Sequence, residues 1–464
     1  MVFPSFEFAI FFPIVLALSW LLMPRPALWK PFILAASYVF YSAASVTFTL
    51  ILAGVALANQ VGAQLVSRAT TERRKTHIMA ATVALNLGVL GLFKYYGFFT
   101  EEFGTLLGNI GLGMPLPLLQ LALPVGLSFW IFQAISYVVD VRRGLLPPAK
   151  TIDVMVYLAF FPHVVAGPIV RAREFIPQLS IPRNPRDVAV GPAVVLIGIG
   201  LIKKVMIADF LARSVVDPVF GVPEAYHSPD VILAAYAYAA QIYCDFSGYT
   251  DIAIGVALLL GFVFPQNFNC PYRSISFREF WRRWHITLSR YLRDFLYIPL
   301  GGNRHGKWNT ARNLMITMVL GGLWHGAAWG FILWGTLHGV CLTAEHFMRG
   351  KVKPPPIWAR WLIVFNIVVF GWILFRAESL EVAWEFISRI GSPGPATLYT
   401  VPVVAAVLLT IGLQLLPALS IERFRTRLAN LSPATLALGL TVTVAIVGAT
   451  VPSNAVPPFI YFQF

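Results

Sequence analysis

The chain has 464 residues, of which 58% are hydrophobic and only 12% are charged, whereas soluble domains carry about 25% charged residues. These values exclude a soluble globular fold and predict a polytopic membrane protein. The formal charge of +14 does not indicate a nucleic-acid partner, because the basic residues lie in short loops between apolar segments, where they set orientation and contact anionic lipids.

Apolar windows recur along the chain and predict an all-α protein with about eleven transmembrane helices, each of about 20 residues, the length that crosses a bilayer core. The first window runs from Phe3 to Met23 and predicts a retained helix, since no basic region precedes it and no A-x-A cleavage site follows it. Other clear windows cover residues 30–47, 48–66, 358–376, 397–417 and 433–451.

Charged loops set the predicted orientation. Residues 68–77 and 140–150 are basic, and the loop around Glu101 and Glu102 between them is acidic. Near the other end, the link at 349–356 is basic again. Because basic loops remain in the cytoplasm, counting helices outward from these loops predicts that both termini are extracytoplasmic.

The middle of the chain is irregular. Residues 152–312 mix Pro, Gly and polar residues into apolar surroundings, and such backbone is tolerated at membrane depth only where protein or a water-filled cavity satisfies it. We therefore expect a single membrane-embedded domain over 1–464 with a polar interior. Asp245 and Asp251 either line that interior or pair with arginines and tie helices together, and the second role is favoured.

Residues 277–297, FREFWRRWHITLSRYLRDFLY, repeat apolar side chains at three- and four-residue steps with arginines on the other side. This pattern predicts one in-plane helix at the membrane surface. Between Arg273 and Arg312 there are nine Lys or Arg against two acids, which indicates the cytoplasmic surface. His285 falls at the edge of the apolar face, and periodicity alone favours an interfacial histidine with its tip among the lipid headgroups.

His325 lies in GGLWHGAAWG, residues 321–330, inside an apolar hairpin between the basic ends at Arg312 and Arg349. At 1.5 Å per helical residue it is roughly 20 Å above the start of that hairpin. An ionisable group at this depth indicates function, since burial favours the neutral imidazole that accepts a proton from a hydroxyl. The alternative is a structural histidine bonded to a backbone carbonyl in a glycine-lined interface.

A metal site is not predicted. His338 could join His285 and His325 as a ligand, but no H-E-x-x-H motif or comparable cluster accompanies them.

Three motifs together resemble one family: GPIVR at 167–171, the long run at 265–304, and GGLWHGAAWG at 321–330. They are similar to the membrane-bound O-acyltransferase (MBOAT) family, and most closely to its bacterial branch with the alginate O-acetylation protein AlgI and the teichoic-acid D-alanylation protein DltB. The resemblance covers essentially the whole chain and is densest from about 155 to 340. It implies the MBOAT fold, in which transmembrane, in-plane and re-entrant helices surround a central funnel.

The resemblance also implies an activity. The chain would move an acyl group, acetyl by expectation, from a cytoplasmic thioester across the membrane for O-acetylation of an extracellular or cell-wall polysaccharide such as alginate. It makes His325 the family's signature catalytic histidine and His285 the second, cytoplasm-side histidine. The substrate-tunnel candidates are Trp324, Asp245, Asn267 and Arg304. No bound cofactor is implied, and acetyl-CoA or an acyl-carrier thioester is the expected donor substrate.

The implied setting is the bacterial cytoplasmic membrane, with lipids, the polysaccharide acceptor and a separate periplasmic SGNH-like acyltransferase as partners. The chain ends in FIYFQF, residues 459–464, which looks like the aromatic tail of the small partner of the teichoic-acid enzyme. Tyr461 is then either an acyl relay or an aromatic interfacial anchor. A polysaccharide or small-molecule transporter is the alternative function, and an intramembrane scaffold, which would require neither histidine, is a third.

Overall fold

The computed structural model describes Met1, Phe3 and residues 5–110 and 121–450, and the regular structure within these residues is helical, with no β-strand. The predicted all-α class is confirmed. The chain divides into two compact units, one formed by Met1–Val190 with Val256–Pro265 and the other by Gly191–Gly255 with Gln266–Phe464. The single domain expected over 1–464 stays a prediction.

The first unit contains nine α-helices in its described residues. They are α1 (Phe6–Leu22), α2 (Pro26–Ser42), α3 (Val46–Arg68), α4 (Glu72–Leu90), α5 (Tyr96–Asn109), α6 (Leu127–Arg142), α7 (Thr151–Ala159), α8 (Phe161–Val164) and α9 (Ala172–Leu179), with a π-helical turn at Gly91–Tyr95 between α4 and α5 and a 3₁₀ turn at Pro185–Asp187. Polar caps decide where two of these helices begin, because the side chains of Ser45 and Thr71 accept hydrogen bonds from the first turns of α3 and α4.

Buried polar side chains join the long helices of the first unit. Asn59 of α3 and Asn86 of α4 exchange side-chain hydrogen bonds of 3.0 and 2.9 Å. Tyr137 of α6 donates a 2.7 Å hydrogen bond to Gln60 of α3. Polar groups buried between membrane helices are satisfied by one another in this way, which fixes how the helices pack.

The remaining described helices lie in the second unit, except for the ends of two of them. They are α10 (Val190–Leu201), α11 (Asp209–Leu211), α12 (Asp217–Gly221), α13 (Ser228–Leu259), α14 (Phe277–Arg283), α15 (Ile286–Leu292), α16 (Gly306–His325), α17 (Trp329–Met348), α18 (Ile357–Arg376), α19 (Leu380–Arg389), α20 (Val401–Leu415), α21 (Ala418–Ala429) and α22 (Pro433–Thr450). Three π-helical segments, Ile202–Ala208, Ala212–Val216 and Arg293–Tyr297, and two 3₁₀ turns, Pro223–Ala225 and Pro271–Arg273, connect them. Val190 at the start of α10 and residues 256–259 at the end of α13 belong to the first unit.

Several of these helices can cross a bilayer by length and composition. Among the described residues they are Val46–Arg68, Glu72–Asn109, Ser228–Leu259, Ile357–Arg376 and Pro433–Thr450, and the bent pair Val401–Leu415 with Leu419–Ala429 would add a sixth span. The apolar windows predicted at 48–66, 358–376 and 433–451 are thus confirmed as long helices. Exposed side chains such as Leu50 and Trp358, both 67% accessible, suit contact with lipid. The total of about eleven spans stays a prediction.

Helices α16 and α17 form a hairpin in close backbone contact. A Cβ atom on Gly322 would lie 2.2 Å from the carbonyl oxygen of Phe331, and one on Gly335 would lie 2.4 Å from the carbonyl oxygen of Met318. Only glycine leaves room for helices to approach this closely. The hairpin therefore fixes the end of α16, where His325 lies.

Candidate active site

The arginine-rich amphipathic segment is broken where His285 lies. Helix α14 ends at Arg283, Trp284 is extended, and His285 has a left-handed backbone with φ 42° and ψ 55° before α15 begins at Ile286. The predicted continuous helix over 277–297 is therefore wrong. A left-handed conformation costs energy for any residue but glycine and is concentrated at functional sites.

The break turns the side chain of His285 into the second unit. The ring is completely buried, so its predicted placement among the headgroups is wrong as well. It lies perpendicular to the ring of Phe246, with the two ring centroids 4.7 Å apart. Burial lowers the pKa of His285 to about 3, because desolvation disfavours the charged imidazolium. The ring is therefore neutral at physiological pH.

Asn267 holds this break in place from the preceding loop. Its backbone carbonyl accepts a 2.9 Å hydrogen bond from the backbone N–H of Ile286. Its side-chain oxygen lies 3.1 Å from Nδ1 of His285 and also accepts from the backbone and hydroxyl of Thr287. One asparagine therefore satisfies the start of α15 and orients the histidine that precedes it.

His325 is the last residue of α16 and is 3% exposed. Its ring lies within an aromatic cluster, at centroid distances of 5.0 Å from Trp324, 5.1 Å from Trp334 and 5.2 Å from Phe375. The ring of His285 is 6.5 Å away. The structure therefore brings together two histidines that are forty positions apart in the sequence.

The four tunnel candidates occupy different places. Trp324 is buried with its ring 6.1 Å from that of His285, and Asn267 binds His285 directly. The carboxylate of Asp245 binds the buried ammonium of Lys204. Arg304 is exposed in the loop before α16. Asn267 and Trp324 therefore adjoin the histidine pair, whereas the side chain of Asp245 is engaged with a lysine.

The role favoured for the two aspartates, tying helices together, is confirmed with a different partner. Lys204 binds Asp245 and also Asp209, the latter at 2.8 Å, and Lys203 binds Asp251 at 2.7 Å. Both lysines lie in the π-helical segment Ile202–Ala208, so these ion pairs join it to α13. The predicted partners were arginines. The lysines were missed because Lys203 lies 48 residues from Asp251 in sequence and Lys204 lies 41 residues from Asp245.

A basic cavity of about 660 Å³ opens beside α14–α17. Five arginines line it, namely Arg278, Arg282, Arg290, Arg293 and Arg349, together with His346 and a single acid, Glu345. Five positive charges and one negative charge give a net charge of +4 at its wall, without counting His346. The sequence pattern assigned four of these arginines to a solvated helix face and the fifth to a link, so the cavity was missed.

The cavity wall comes close to both histidines along the chain. Ile286, which follows His285, lines it, and so does Met318, about two helical turns before His325. Neither histidine ring lines the cavity itself. The site therefore consists of two buried histidines, of which His285 is neutral, next to a strongly basic cavity. This arrangement is suited to proton transfer close to an anionic ligand.

His338 does not join the pair as a metal ligand. Its ring packs 4.9 Å from Trp334 and 5.9 Å from Phe280. Within the part of the chain that the structure describes, no three His, Cys, Asp or Glu side chains are placed to hold a metal ion. The proposed relay Tyr461 belongs to residues 451–464, which lie outside the described residues.

Comparison with known proteins identifies the family. A sequence model of the MBOAT, membrane-bound O-acyltransferase family, matches residues 33–382. The chain is 41% identical over 403 residues to the probable alginate O-acetylase AlgI of Azotobacter vinelandii, covering 86% of this chain and 79% of that protein. It is 35% identical over 391 residues to the peptidoglycan O-acetyltransferase of Helicobacter pylori, covering 77% and 72%.

A more distant relative is the teichoic acid D-alanyltransferase of Bacillus subtilis, 28% identical over 274 residues that cover 55% of this chain and 69% of that protein. The resemblance carried by the three motifs is thereby confirmed. The chain belongs to the membrane-bound O-acyltransferase family.

Proposed function

We propose that this multi-pass membrane O-acyltransferase moves an acetyl group from a cytoplasmic thioester to an extracellular polysaccharide, with alginate as the first candidate. The observation that carries the proposal is the buried pair of His285 and His325, 6.5 Å apart between ring centroids, beside the basic cavity. The names of similar proteins supply the substrate class, since they include a probable alginate O-acetylase and a peptidoglycan O-acetyltransferase.

His325 is the proposed base for the acceptor hydroxyl. As the hydroxyl oxygen attacks the thioester carbonyl, its O–H bond breaks and the imidazole takes the proton. A C–O bond forms, the C–S bond breaks, and the thiolate receives the proton, so the sum is an alcohol and a thioester giving an ester and a thiol. An imidazole suits this step because its unprotonated ring nitrogen accepts a proton and can later release it.

The basic cavity is the proposed donor site. Arginine binds phosphate through charge-assisted, often bidentate hydrogen bonds, and the cavity volume falls within the range of small-molecule pockets. Five arginines against one acid therefore suit the phosphates of acetyl-CoA, while an acyl-carrier thioester is the other donor to test. With the anionic carrier held at this cavity, only the small neutral acetyl group needs to cross the membrane.

The orientation follows from the charges. A cavity with this many arginines belongs on the cytoplasmic side, in the bacterial inner membrane, and both termini are then extracytoplasmic. On the acceptor side of the membrane, a periplasmic SGNH-like acyltransferase would take up the acetyl group. In this scheme Tyr461 receives the acetyl group and passes it to that partner.

Replacing His325 tests the assignment. Cells that carry His325→Ala as the only copy should make polysaccharide without O-acetyl groups, as measured by NMR of the purified polymer. His77→Ala is the matched control, because His77 is exposed and lies on α4 of the other unit. Immunoblots of isolated membranes should show equal amounts of both variants. Normal acetylation with His325→Ala would remove His325 from the mechanism.

The donor is tested in inverted membrane vesicles. Vesicles that contain the protein should consume radiolabelled acetyl-CoA added from outside, and the His325→Ala vesicles should not. Consumption of an acetylated carrier protein in place of acetyl-CoA would assign the other donor.

The relay is tested on the C-terminal peptide. Mass spectrometry of protein from cells should find acetyl on Tyr461, and Tyr461→Phe should abolish polymer acetylation. Normal acetylation with Tyr461→Phe would leave the aromatic tail as an anchor.

A further inference from the structure

The side chain of Asn267 makes three hydrogen bonds through one atom. It is completely buried, and one side-chain atom lies 3.1 Å from Nδ1 of His285, 3.1 Å from the backbone nitrogen of Thr287 and 2.9 Å from the Thr287 hydroxyl. A backbone N–H can only donate. The atom of Asn267 that faces these three groups is therefore the amide oxygen and not the amide nitrogen, which settles the orientation of the amide.

This orientation decides the tautomer of His285. An amide oxygen carries no hydrogen, so in the 3.1 Å contact the proton must be on Nδ1 of the histidine. A neutral imidazole has one protonated nitrogen, and Nε2 therefore carries the lone pair. We propose that Asn267 is a positioning residue, which holds His285 as the Nδ1–H tautomer and so makes Nε2 of His285 a proton acceptor in the active site.

The use of an amide at this position supports the proposal. The amide nitrogen of Asn267 has no hydrogen-bond partner among the described residues, so the side chain contributes through its oxygen. An aspartate would accept the same three hydrogen bonds, but its charge would favour the imidazolium, in which neither nitrogen has a lone pair. The neutral amide therefore fixes the orientation of the His285 ring without raising its pKa as a carboxylate would.

Several of the charged groups on the elements around His285 are held in ion pairs. The titratable and charged groups of the segment 277–297 besides His285 are Arg278, Glu279, Arg282, Arg283, Arg290, Tyr291, Arg293, Asp294 and Tyr297. The neighbouring parts of α13 and α16 add Tyr243, Cys244, Asp245, Tyr249, Asp251 and His325. Arg283 binds Glu279, Asp245 binds Lys204, and Asp251 binds Lys203. A new carboxylate at position 267 would therefore act on His285 directly.

The role of this lone pair rests on the proposed function. The proton released by the acceptor hydroxyl at His325 has to reach the sulfur of the leaving thiolate. Nε2 of His285 takes up that proton and gives it to sulfur, so the ring ends unchanged while the O–H and C–S bonds are exchanged for C–O and S–H bonds. His285 is suited to this step because the next residue, Ile286, lines the basic cavity.

The tautomer can be measured on the intact wild-type protein. The chain contains eight histidines, so protein labelled with ¹⁵N-histidine gives few ring signals in a long-range ¹H–¹⁵N spectrum. The signal missing from His285→Gln identifies His285. We expect its Nδ1 to be protonated and its Nε2 to be unprotonated at pH 7. A protonated Nε2 with a bare Nδ1 would overturn the proposal.

Asn267→Asp tests the effect of the amide. The carboxylate should raise the pKa of His285 from about 3 by roughly 1–3 pH units. Its nitrogen shifts should then titrate within about pH 4–6, and acetyl transfer should fall in the same range. Asn267→Leu, which has no acceptor, should lower acetyl transfer about 10–100-fold at pH 7, as is typical when a hydrogen bond that orients a functional histidine is lost. Retention of the wild-type titration and rate by both variants would refute the positioning role.

Asn313→Asp is the matched control. Asn313 is also completely buried, and its side-chain oxygen accepts from Arg312 and not from a histidine. This variant should leave the His285 titration unchanged. The spectrum of the wild-type protein is recorded without turnover. It can therefore show the wrong tautomer for His285 even if the protein transfers acetyl groups as proposed. Equally, normal acetylation with His325→Ala would refute the proposed base without affecting the tautomer.

Discussion

Arg278 offers a direct test of the basic cavity as the donor site. It is partly buried, lines the cavity, and contributes one of the five positive charges there. Arg278→Gln lowers the net charge at the wall from +4 to +3 and keeps a polar side chain of similar reach. A hydrogen bond to a charged group contributes about 1.5–3 kcal/mol, and for a partly exposed side chain the lower value applies. Since 1.36 kcal/mol is a factor of ten, KM for acetyl-CoA should rise about tenfold.

The assay is initial-rate acetyl transfer in inverted vesicles over a range of acetyl-CoA concentrations. We expect KM to rise while kcat stays near the wild-type value, because in the proposed donor site Arg278 would bind the carrier and not the reacting carbonyl. Raising the salt concentration should increase KM more for the wild type than for the variant. The control is Arg74→Gln, an exposed arginine on α4. An unchanged KM for Arg278→Gln, or an equal rise for both variants, would refute the donor-site assignment.

Three further predictions concern stability, each measured as thermal unfolding in detergent. Gly322→Ala places a Cβ 2.2 Å from the Phe331 carbonyl oxygen and should cost about 1–3 kcal/mol, while Gly198→Ala, where the added Cβ meets nothing within 4 Å, should be neutral. Lys204→Met removes the buried ammonium that Asp209 and Asp245 both bind and should lower the free energy of unfolding by about 3–5 kcal/mol. Adding Asp209→Asn should recover part of this loss. If stability does not recover, the ion-pair explanation is wrong. His285 should make the free energy of unfolding depend on pH, because its pKa is lowered from 6.5 to about 3 in the folded protein. Below pH 6.5 the unfolded chain takes up a proton that the folded chain does not. The free energy of unfolding is therefore unaffected above pH 6.5 and falls as the pH drops toward 3, by up to about 1.4 kcal/mol per pH unit. His285→Gln should show a shallower dependence, and an equal slope would exclude His285 as its source.

The apolar patterns predicted the helices well because length and hydropathy are local properties of the chain. The window predicted at 358–376 corresponds to the helix Ile357–Arg376, and the window predicted at 433–451 corresponds to the helix Pro433–Thr450. The position of His325 at the end of a hairpin was also foreseeable, since basic residues bound both of its arms. These features depend on which residues partition into lipid, and a single sequence contains that information.

The break at His285 was not foreseeable in the same way. Apolar residues at Trp281, Trp284 and Leu288 keep the helical spacing across it, and no proline or glycine interrupts the pattern. The energy that stabilises the left-handed backbone comes from Asn267, eighteen residues earlier, which replaces the missing helical hydrogen bonds. The periodicity of a segment depends only on its own residues, so it cannot reveal a hydrogen-bond partner in another loop.

The broken helix explains how one short segment serves two purposes. In a continuous helix over 277–297, His285 would point to the same interface as the tryptophans around it, and its ring would be solvated and able to charge. The left-handed residue rotates the ring into the unit, where it lies next to His325. Arg278, Arg282 and Arg290 remain on the cavity wall. Charged arginines along an open cavity attract an anion, whereas burial keeps an imidazole neutral and able to accept a proton. A change of backbone direction at one residue places these two environments next to each other, and the hydrogen bonds from Asn267 offset the strain that this change introduces.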